Sequence, residues 1–279
     1  DGLQKAGYQE GENLDLRVES AQGKFDLAAQ IAAKWVPQKP DVVIGVGTLA
    51  AQAFLKYARE GKVQLVFSSV TDPQGAGLLA DPEAQTGQKA VCGVSNFVDP
   101  TPQLQLFKQL QPGLKRLGVL YNPGEPNSSK LMEQLKPLCD EYGMELFAQA
   151  AYKTADLAQA ATQLSKRVEA LFINNDNTAL GGLPTILGVA KRAKIPVYVS
   201  DVDAVALGAL AALGPNQYQL GQETAQLALR FWQDSGPLSG NSRVLYPKAV
   251  EVYLNAKAAQ ELGIELEAGL KNQAARVIE

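Results

Sequence analysis

Short runs of β-branched and other apolar residues alternate with helix-patterned segments along almost the whole chain. The run Asp41–Val46 reads DVVIGV, a continuous apolar strand of the kind that is buried on both faces of a sheet. Thr48–Arg59 follows it, with apolar residues at the helical period. The same order returns in Arg116–Tyr121 and Ser128–Tyr142. Such alternation predicts an α/β protein with parallel sheets flanked by helices.

The pattern assigns each segment to a strand or a helix. The predicted strands are Leu14–Glu19, Asp41–Val46, Val63–Phe67, Ala90–Ser95, Arg116–Tyr121, Met144–Ala148, Ala170–Ile173, Pro196–Val199, Gly208–Leu213 and Ala249–Leu254. The predicted helices are Phe25–Val36, Thr48–Arg59, Pro100–Leu110, Ser128–Tyr142, Ala155–Arg167, Thr178–Ala193 and Tyr218–Trp232, with a kink at Pro184.

These segments fall into two series, and the 279 residues suffice for two domains of ordinary size. The first series ends near Phe97–Pro102, and a connector rich in Gly, Ser and Pro spans Asp234–Ser242. We therefore predict two Rossmann-like lobes joined by a hinge that the chain crosses more than once. Lobe 1 would hold residues 1–98 and 204–241, and lobe 2 residues 99–203 and 242–279.

Composition excludes several classes of function. The chain has no histidine, so Ser-His-Asp catalysis, Cys-His catalysis and His-ligated zinc are unavailable. A net charge of −3 gives no basic footprint for nucleic acid. Cys92 and Cys139 match no metal-ligand spacing, and we expect two buried thiols rather than a disulfide. Gly45-Val-Gly47 lacks the third glycine of a dinucleotide fingerprint. No cofactor, metal or enzymatic activity is predicted.

Short polar side chains follow five of the predicted strands. In open parallel sheets, ligands bind outside the carboxyl ends of the strands, so these residues are candidates to line a cleft between the lobes. The candidate ligand-binding residues are Thr48, Ser68, Ser69, Thr71, Asp72, Asn122, Asp176, Asn177 and Asp201.

Capping is the alternative role for several polar residues at these positions. Thr48 suits the cap of a helix that begins at Leu49, and Asn127 and Ser128 suit the next helix start. Asp201 and Asp203 could be solvated loop carboxylates, or could bind a ligand ammonium. The two aspartates do not complete a calcium loop. The sequence leaves these alternatives open.

Taken together, the loops resemble those of one protein family. The motifs that carry the likeness are AGYxEG at 6–11, SAQG at 20–23, GTLAAQ at 47–52, VTDPQGAG at 70–77, GVS at 93–95, GVLYNPGEPNS at 118–128, DNT at 176–178, IP at 195–196, SD at 200–201, GALAALG at 208–214 and YQLG at 218–221. Over nearly its whole length, the chain resembles the TrpX-like substrate-binding proteins of ABC transporters, which have the type I periplasmic-binding-protein fold.

The resemblance implies a function and roles for the site residues. It implies an exported receptor, periplasmic, extracellular or lipid-anchored, that binds a small polar solute and delivers it to an ABC permease. Amino acids, including aromatic ones, are the implied solutes. Thr48 and the Ser68–Asp72 loop would hold a carboxylate, and Asn122, Asp176, Asn177 and Asp201 would meet the amine and polar groups. We expect a monomer that binds no nucleic acid.

The chain departs from this family at its start. Family members have a strand and a loop ahead of the first helix, whereas this sequence starts inside that helix. The resemblance places the absent strand in the middle of the first sheet. Three other functions remain as alternatives: the effector domain of a LacI-like transcriptional regulator, a receptor for a nucleoside or sugar, and an enzyme on an α/β scaffold.

Overall fold

The structure, a computed structural model, describes residues 1–79, 91–233 and 244–279. These residues form two compact units, each described separately below. Unit 1 comprises Asp1–Phe97 and Gln217–Lys248, and unit 2 comprises Val98–Asn216 and Ala249–Glu279. The chain therefore passes between the units three times. Most of the predicted connector Asp234–Ser242 lies outside the described residues.

Strands and helices alternate much as the sequence pattern predicts. The strands are β1 Val43–Val46, β2 Leu65–Ser68, β3 Val91–Val94, β4 Arg116–Tyr121, β5 Glu145–Ala150, β6 Ala170–Ile173, β7 Val197–Val199, β8 Ala211–Gly214, β9 Val244–Leu245, β10 Glu251–Asn255 and β11 Arg276–Ile278. The helices are α1 Gly2–Lys5, α2 Phe25–Trp35, α3 Thr48–Arg59, α4 Pro100–Leu110, α5 Pro126–Glu141, α6 Leu157–Leu164, α7 Asn177–Gly181, α8 Leu183–Ala193, α9 Gln217–Gln233, α10 Ala256–Leu262 and α11 Ala268–Gln273.

Unit 1 is built on a parallel sheet with the strand order β1-β2-β3-β9. Helices α2 and α3 pack on one face, where Phe54 meets Leu65 and Phe67 in an apolar core. Helix α9 covers the other face through Val66 and Val94. Strands β2 and β3 are therefore buried on both sides, as their continuous apolar sequences predict.

The predicted strand Leu14–Glu19 is wrong. Only Leu14 takes part in an isolated bridge, with Glu10, and the residues after it join no ladder. A strand needs a neighbour for its backbone N–H and C=O groups, and strand periodicity cannot supply one. Within the described residues, β1 is an edge strand that pairs with β2 alone.

Unit 2 contains a seven-stranded sheet in the order β11-β10-β8-β7-β6-β4-β5. All neighbours are parallel except β10 and β8. Side chains alternate across β6, with Phe172 in the core on one face and Leu171 and Ile173 in the core on the other. The sequence pattern misses both α10 and α11, and the short closing strand β11.

The unit boundary differs from the predicted lobe boundary at residues 204–216. These residues belong to unit 2, because β8 pairs with β7 and β10 of that unit. Unit 1 in turn extends to Lys248, because β9 pairs with β3. The sequence shows where strands occur but not which sheet each one joins.

Two further predictions can be compared with the structure. The predicted helix Thr178–Ala193 is broken into α7 and α8 at Gly182, where an added Cβ would collide with the side chain of Leu157, and Pro184 lies at the start of α8.

Cys92 and Cys139 are both buried and form no disulfide, as predicted. Burial raises the pKa of the Cys139 thiol to about 11, so it is protonated at neutral pH. No helix in the described ranges combines the length and apolar character needed to cross a membrane.

Candidate functional site

In unit 1, the last residue of β2 and the loop after it carry four of the candidate residues. Ser68 is 5% exposed, and its hydroxyl lies 2.7 Å from that of Thr224 on α9. The Thr224 hydroxyl donates to the carbonyl of Leu220 at 2.7 Å, so Ser68 is the donor of the pair. This hydroxyl chain fixes the end of β2 against α9.

The backbone turns sharply directly after Ser68. Ser69 has a φ of 54°, in the left-handed region that a side chain with a Cβ rarely adopts. Such strain persists only where the surrounding structure enforces it, and it is enriched at binding and catalytic sites. Ser69 is only partly buried.

Thr71 and Asp72 complete the loop, with Thr71 held by residues that follow β3 and Asp72 by a residue of its own loop. The Thr71 hydroxyl donates to Oδ1 of Asn96 at 2.9 Å, and the Ser95 hydroxyl donates to the Thr71 carbonyl at 3.4 Å. The amide of Gly75 donates to Oδ1 of Asp72 at 3.0 Å. Ser95 and Asn96 are both buried. Sequence reasoning missed these two supporting residues, although they follow β3 at the same edge of the sheet.

Thr48 does not cap its helix, contrary to prediction. Helix α3 begins at Thr48 itself, and Gly47 is the N-cap with a φ of 81°. The Gly47 amide donates to the Ser68 carbonyl at 2.8 Å, which places the N-terminus of α3 beside the Ser68–Asp72 loop. The first-turn N–H groups of this twelve-residue helix and its dipole favour an anion.

In unit 2, Asp176 is a fully buried carboxylate with three hydrogen-bond donors. Oδ1 accepts from the amide of Ala179 at 2.8 Å, so Asp176 is the N-cap of α7. Oδ2 accepts from the amide of Asn122 at 2.7 Å and from the hydroxyl of Ser128 at 2.6 Å. Burial raises the pKa of Asp176, and the nearby charge of Glu125 raises it further, while the three hydrogen bonds lower it.

Glu125 is a second buried carboxylate in the same loop cluster. It accepts hydrogen bonds from the amide and side-chain nitrogens of Asn177 and from the amide and hydroxyl of Thr178, at 2.7–3.0 Å. Its four contacts set the conformation of the loop after β6. Sequence reasoning missed this role, because Glu125 lies 52 residues away from Asn177 along the chain.

Asn122 and its neighbours tie these loops together. The Asn122 side-chain nitrogen donates to the Thr178 hydroxyl at 2.9 Å, and its oxygen accepts from the amide of Gly124 at 2.9 Å. Asn127 and Ser128 lie in the first turn of α5 and do not cap it, contrary to prediction, because Glu125 is the N-cap. They reach across to the β6 loop instead, with the Asn127 side-chain nitrogen 2.8 Å from the carbonyl of Asn175.

Asp201 differs from Asp176 and Glu125 in having fewer hydrogen-bond donors within the described residues. It follows β7, and its Oδ1 accepts one hydrogen bond, from the amide of Asp203 at 3.0 Å. Burial raises the pKa of Asp201, and the charge of Asp203 raises it further. In the part of the chain that the structure describes, no Lys or Arg forms an ion pair with Asp201. This half-buried carboxylate can therefore accept a cationic group.

A buried glutamine supports the start of the Asp201 loop. The side-chain nitrogen of Gln103, on α4, donates to the Ser200 hydroxyl at 2.9 Å and to the Leu213 carbonyl at 2.8 Å. The amide of Ser200 donates to the carbonyl of Ile173 at 3.1 Å, which joins the loops after β7 and β6. Asp201, Asp176 and Asn177 thus lie along one edge of the unit 2 sheet.

The structure gathers the candidate residues into one group in each unit. Thr48 and the Ser68–Asp72 loop share an edge of the unit 1 sheet, and the remaining candidates share an edge of the unit 2 sheet. Across the described residues, no three acidic or cysteine side chains are close enough to hold a metal ion. The two groups offer an anion-binding helix end and a desolvated carboxylate.

Comparison with known proteins identifies the family. A family model described as ABC transporter substrate binding protein matches residues 1–278. A tyrosine-binding protein of Clostridioides difficile (strain R20291) is 28% identical over 263 residues, covering 94% of this chain and 74% of that protein.

Two solved structures are similar over 99% of this chain, each with a TM-score of 0.91. One is a conserved domain protein from Vibrio cholerae, 33% identical, of which 91% is covered. The other is an ABC domain from Streptococcus pneumoniae in complex with L-tryptophan, 28% identical, of which 92% is covered. The matched structures have the type I periplasmic-binding-protein fold, as predicted. The chain therefore belongs to the substrate-binding proteins of ABC transporters, which are not enzymes.

Proposed function

We propose that this protein binds a free α-amino acid, with an aromatic side chain, for import by an ABC permease. The family supports a small-molecule solute, and two relatives are described by tyrosine and tryptophan binding. The two residue groups match the two charged ends of an α-amino acid. The unit 1 group suits a carboxylate, and the unit 2 group suits an ammonium group.

Unit 1 would bind the carboxylate. The N-terminus of α3 supplies backbone N–H groups and the positive end of the helix dipole. The hydroxyls of Thr48 and Ser69 would add side-chain donors, whereas the Thr71 hydroxyl already donates to Oδ1 of Asn96 and would hold the loop in shape. Ser68 and Asp72 would hold the loop in shape, because their side chains are buried and hydrogen-bonded within unit 1.

Unit 2 would bind the ammonium group through Asp201, and the state of this carboxylate is the observation that carries the proposal. Desolvation raises its pKa, and it has one hydrogen bond within the described residues. A ligand cation would offset the loss of solvation. Asp176 is the poorer candidate, since both of its oxygens already accept hydrogen bonds and its side chain is fully buried. Asn122, Asp176 and Asn177 would then shape the loops around the solute.

Isothermal titration calorimetry with a matched pair of variants tests these roles. The set of titrants is all proteinogenic amino acids, together with nucleosides and sugars. Asp201→Asn removes the proposed ammonium partner, and Asp203→Asn removes an equal charge from an exposed neighbour. We expect the best amino acid to bind Asp201→Asn about ten- to a hundredfold more weakly, since a charge-assisted hydrogen bond contributes about 1.5–3 kcal/mol. Asp203→Asn should bind like the unaltered protein.

Ligand analogues separate the two ends of the solute. 3-Phenylpropionate lacks the ammonium group and phenylalanine methyl ester lacks the carboxylate, and both should bind far more weakly than phenylalanine. Equal binding of the best amino acid to both aspartate variants would reject the role of Asp201. Binding of a sugar or nucleoside with no response to amino acids would reject the solute class and favour the alternative receptor.

We further propose that the protein acts outside the cytoplasm and delivers its solute to a membrane permease. The support is its family, whose members serve ABC transporters. Deletion of the gene should abolish uptake of the radiolabelled solute at low external concentration, and cell fractionation should recover the protein outside the cytoplasm. Unchanged uptake would reject the import role while leaving solute binding intact.

A further inference from the structure

Asn174 is a buried amide directly after β6, the strand that lies between β7 and β4 in the unit 2 sheet. It is 4% exposed, and its Oδ1 has no hydrogen-bond partner among the described residues. An amide oxygen that leaves water without finding a donor destabilises the folded protein. Buried polar groups are therefore paired in most native structures, and an unpaired one at a strand end calls for an explanation.

Three other asparagine side chains of the same loops are held by hydrogen bonds. The side-chain nitrogens of Asn122, Asn127 and Asn177 each donate to a hydroxyl, carbonyl or carboxylate of a neighbouring loop. The Asn127 oxygen is also unpaired within the described residues, but its nitrogen fixes the side chain. Asn174, by contrast, forms no side-chain hydrogen bond with any residue that the structure describes. The fold of unit 2 therefore buries this amide without using it.

Asn174 lies next to the loop that carries the proposed ammonium partner. Strands β6 and β7 are parallel neighbours with Ile173 opposite Val199, and the amide of Ser200 donates to the carbonyl of Ile173 at 3.1 Å. Asn174 and Ser200 are thus the next residues on two adjacent strand ends, and Asp201 directly follows Ser200. Neighbouring strands of a sheet lie about 4.8 Å apart.

An ammonium group that leaves water needs more than one acceptor, because it carries three N–H donors. Two acceptors of one tetrahedral nitrogen, each about 2.9 Å from it, lie about 4.7 Å apart, which matches the spacing of neighbouring strand ends. An amide oxygen suits the second acceptor position. It accepts a hydrogen bond without adding a negative charge that would repel the carboxylate of Asp201.

We infer that Asn174 is a specificity-determining residue of the solute site, whose Oδ1 accepts a second N–H of the ammonium group held by Asp201. The inference rests on the proposed binding of an α-amino acid, and it narrows the solute class to primary amines. An N,N-dimethyl amino acid keeps the positive charge and one N–H, which is enough for Asp201 alone. It has no N–H left for Asn174, so the site should reject it.

Calorimetry with phenylalanine, tyrosine and tryptophan and with their N,N-dimethyl derivatives tests this in a double-mutant cycle. The unaltered protein should bind the primary amine about ten- to a hundredfold more tightly than its dimethyl derivative, as expected for a hydrogen bond from a charged donor. Asn174→Ala removes the oxygen and makes room for the methyl groups. It should weaken binding of the primary amine about tenfold or more, and the two ligands should then bind within about threefold of each other.

Asn175→Ala is the matched control for the calorimetry. It removes the same kind of side chain from the adjacent, half-buried residue and keeps the carbonyl to which Asn127 donates. Both ligands should bind to this variant as they bind to the unaltered protein.

Thermal unfolding separates a ligand contact from a structural role. Asn174→Leu replaces the amide by an apolar side chain of similar size, so the unpaired oxygen is removed. The Tm of the ligand-free protein should stay the same or rise by a few degrees, while the affinity for the primary amine falls about tenfold or more. An amide that serves the fold would give the opposite result, a lower Tm with unchanged affinity.

Three results would overturn the role of Asn174. They are equal binding of a primary amino acid and its dimethyl derivative to the unaltered protein, unchanged affinity of Asn174→Ala, and a lower Tm of Asn174→Leu with unchanged affinity. If no amino acid binds to the unaltered protein, the proposed function fails and this inference fails with it. Binding of a primary amino acid together with any of the three results rejects the role of Asn174 alone.

Discussion

Glu125 and Asp176 are two buried carboxylates of one loop cluster, and the charge of Glu125 adds to the effect of burial in raising the pKa of Asp176. The cluster has its own hydrogen-bond donors, four to Glu125 and three to Asp176. Within the described residues, backbone amides, hydroxyls and the side-chain amide of Asn177 stabilise the two charges, and no Lys or Arg forms an ion pair with either carboxylate. This arrangement fixes the loops after β4 and β6 relative to each other within unit 2.

Glu125→Gln should lower the pKa of Asp176, because it removes the neighbouring negative charge and leaves the burial of Asp176 in place. The side-chain NH₂ of glutamine would face donors of Asn177 and Thr178, so we also expect a loss of about 1–3 kcal/mol in the free energy of unfolding. Carboxyl ¹³C NMR titration measures the pKa, and urea unfolding measures the stability. An unchanged pKa would show that the two charges are not coupled.

Asp176→Ala should destabilise the protein by about 3 kcal/mol, because three buried donors lose their acceptor. Asp201→Ala should lower the free energy of unfolding much less, because Asp201 accepts one hydrogen bond within the described residues and burial already disfavours its charged form. Urea unfolding of both variants gives the comparison. If Asp201→Ala were the less stable of the two variants, Asp201 would have the structural role, and Asp176 would again be a candidate to bind the ligand.

The affinity for an amino acid should fall as the pH is lowered through the pKa of Asp201. Burial raises this pKa above the ordinary value, and a bound ammonium would lower it again, so protonation competes with the ligand. Calorimetry between roughly pH 4 and pH 8 with Asp201→Asn as the control is the measurement. The asparagine variant should show weak binding that changes little over this range.

The raised pKa of Asp201 makes the stability of the protein depend on pH. The folded protein holds the Asp201 proton more tightly than the unfolded chain, so this group lowers stability as pH rises from the unfolded pKa through the folded one. Asp201→Asn should therefore be more stable than the unaltered protein above the folded pKa and should lose that advantage in acid. Thermal unfolding at several pH values checks this. A constant difference at all pH values would contradict it.

Ser69→Gly should stabilise the protein by up to about 1 kcal/mol, because glycine adopts a φ of 54° without the strain that Ser69 bears. Binding of the solute should weaken if the Ser69 hydroxyl contacts the carboxylate as proposed. Ser69→Ala removes the hydroxyl and keeps the strain, so it should weaken binding equally with no gain in stability. Thermal unfolding and calorimetry on both variants separate the two effects.

Gly214→Ala should destabilise unit 2 by about 1–3 kcal/mol, because its Cβ would collide with the backbone carbonyl of Ser200. The displaced carbonyl precedes Asp201, so solute affinity should fall as well. Gly188→Ala on α8 is the control, since its Cβ meets only the end of the Arg192 side chain, and it should stabilise by about 0.5–1 kcal/mol. Equal effects of the two changes on stability would show that the Ser200 carbonyl moves at little cost.

Much of the architecture was predictable from local sequence. DVVIGV at Asp41–Val46 and the run Arg116–Tyr121 identify buried strands, because a short continuous apolar run followed by a helical pattern is typical of a strand in a parallel sheet. Pairing was not predictable in the same way. Leu14–Glu19 has strand periodicity but joins no ladder, and residues 204–216 join the sheet of unit 2 through β8.

The sequence by itself determined the α/β class, the strand ends at which polar residues gather and the exclusion of histidine chemistry, because these depend on composition and local periodicity. Only the tertiary structure decided what each polar residue does. Among the described residues, Asp176 has three donors and Asp201 has one, although both aspartates follow a strand in the same way. The physical reason is that a buried carboxylate is stabilised by hydrogen-bond donors from distant segments, such as Ser128 and Asn122. The sheet, rather than the sequence around the aspartate, sets how close those donors lie.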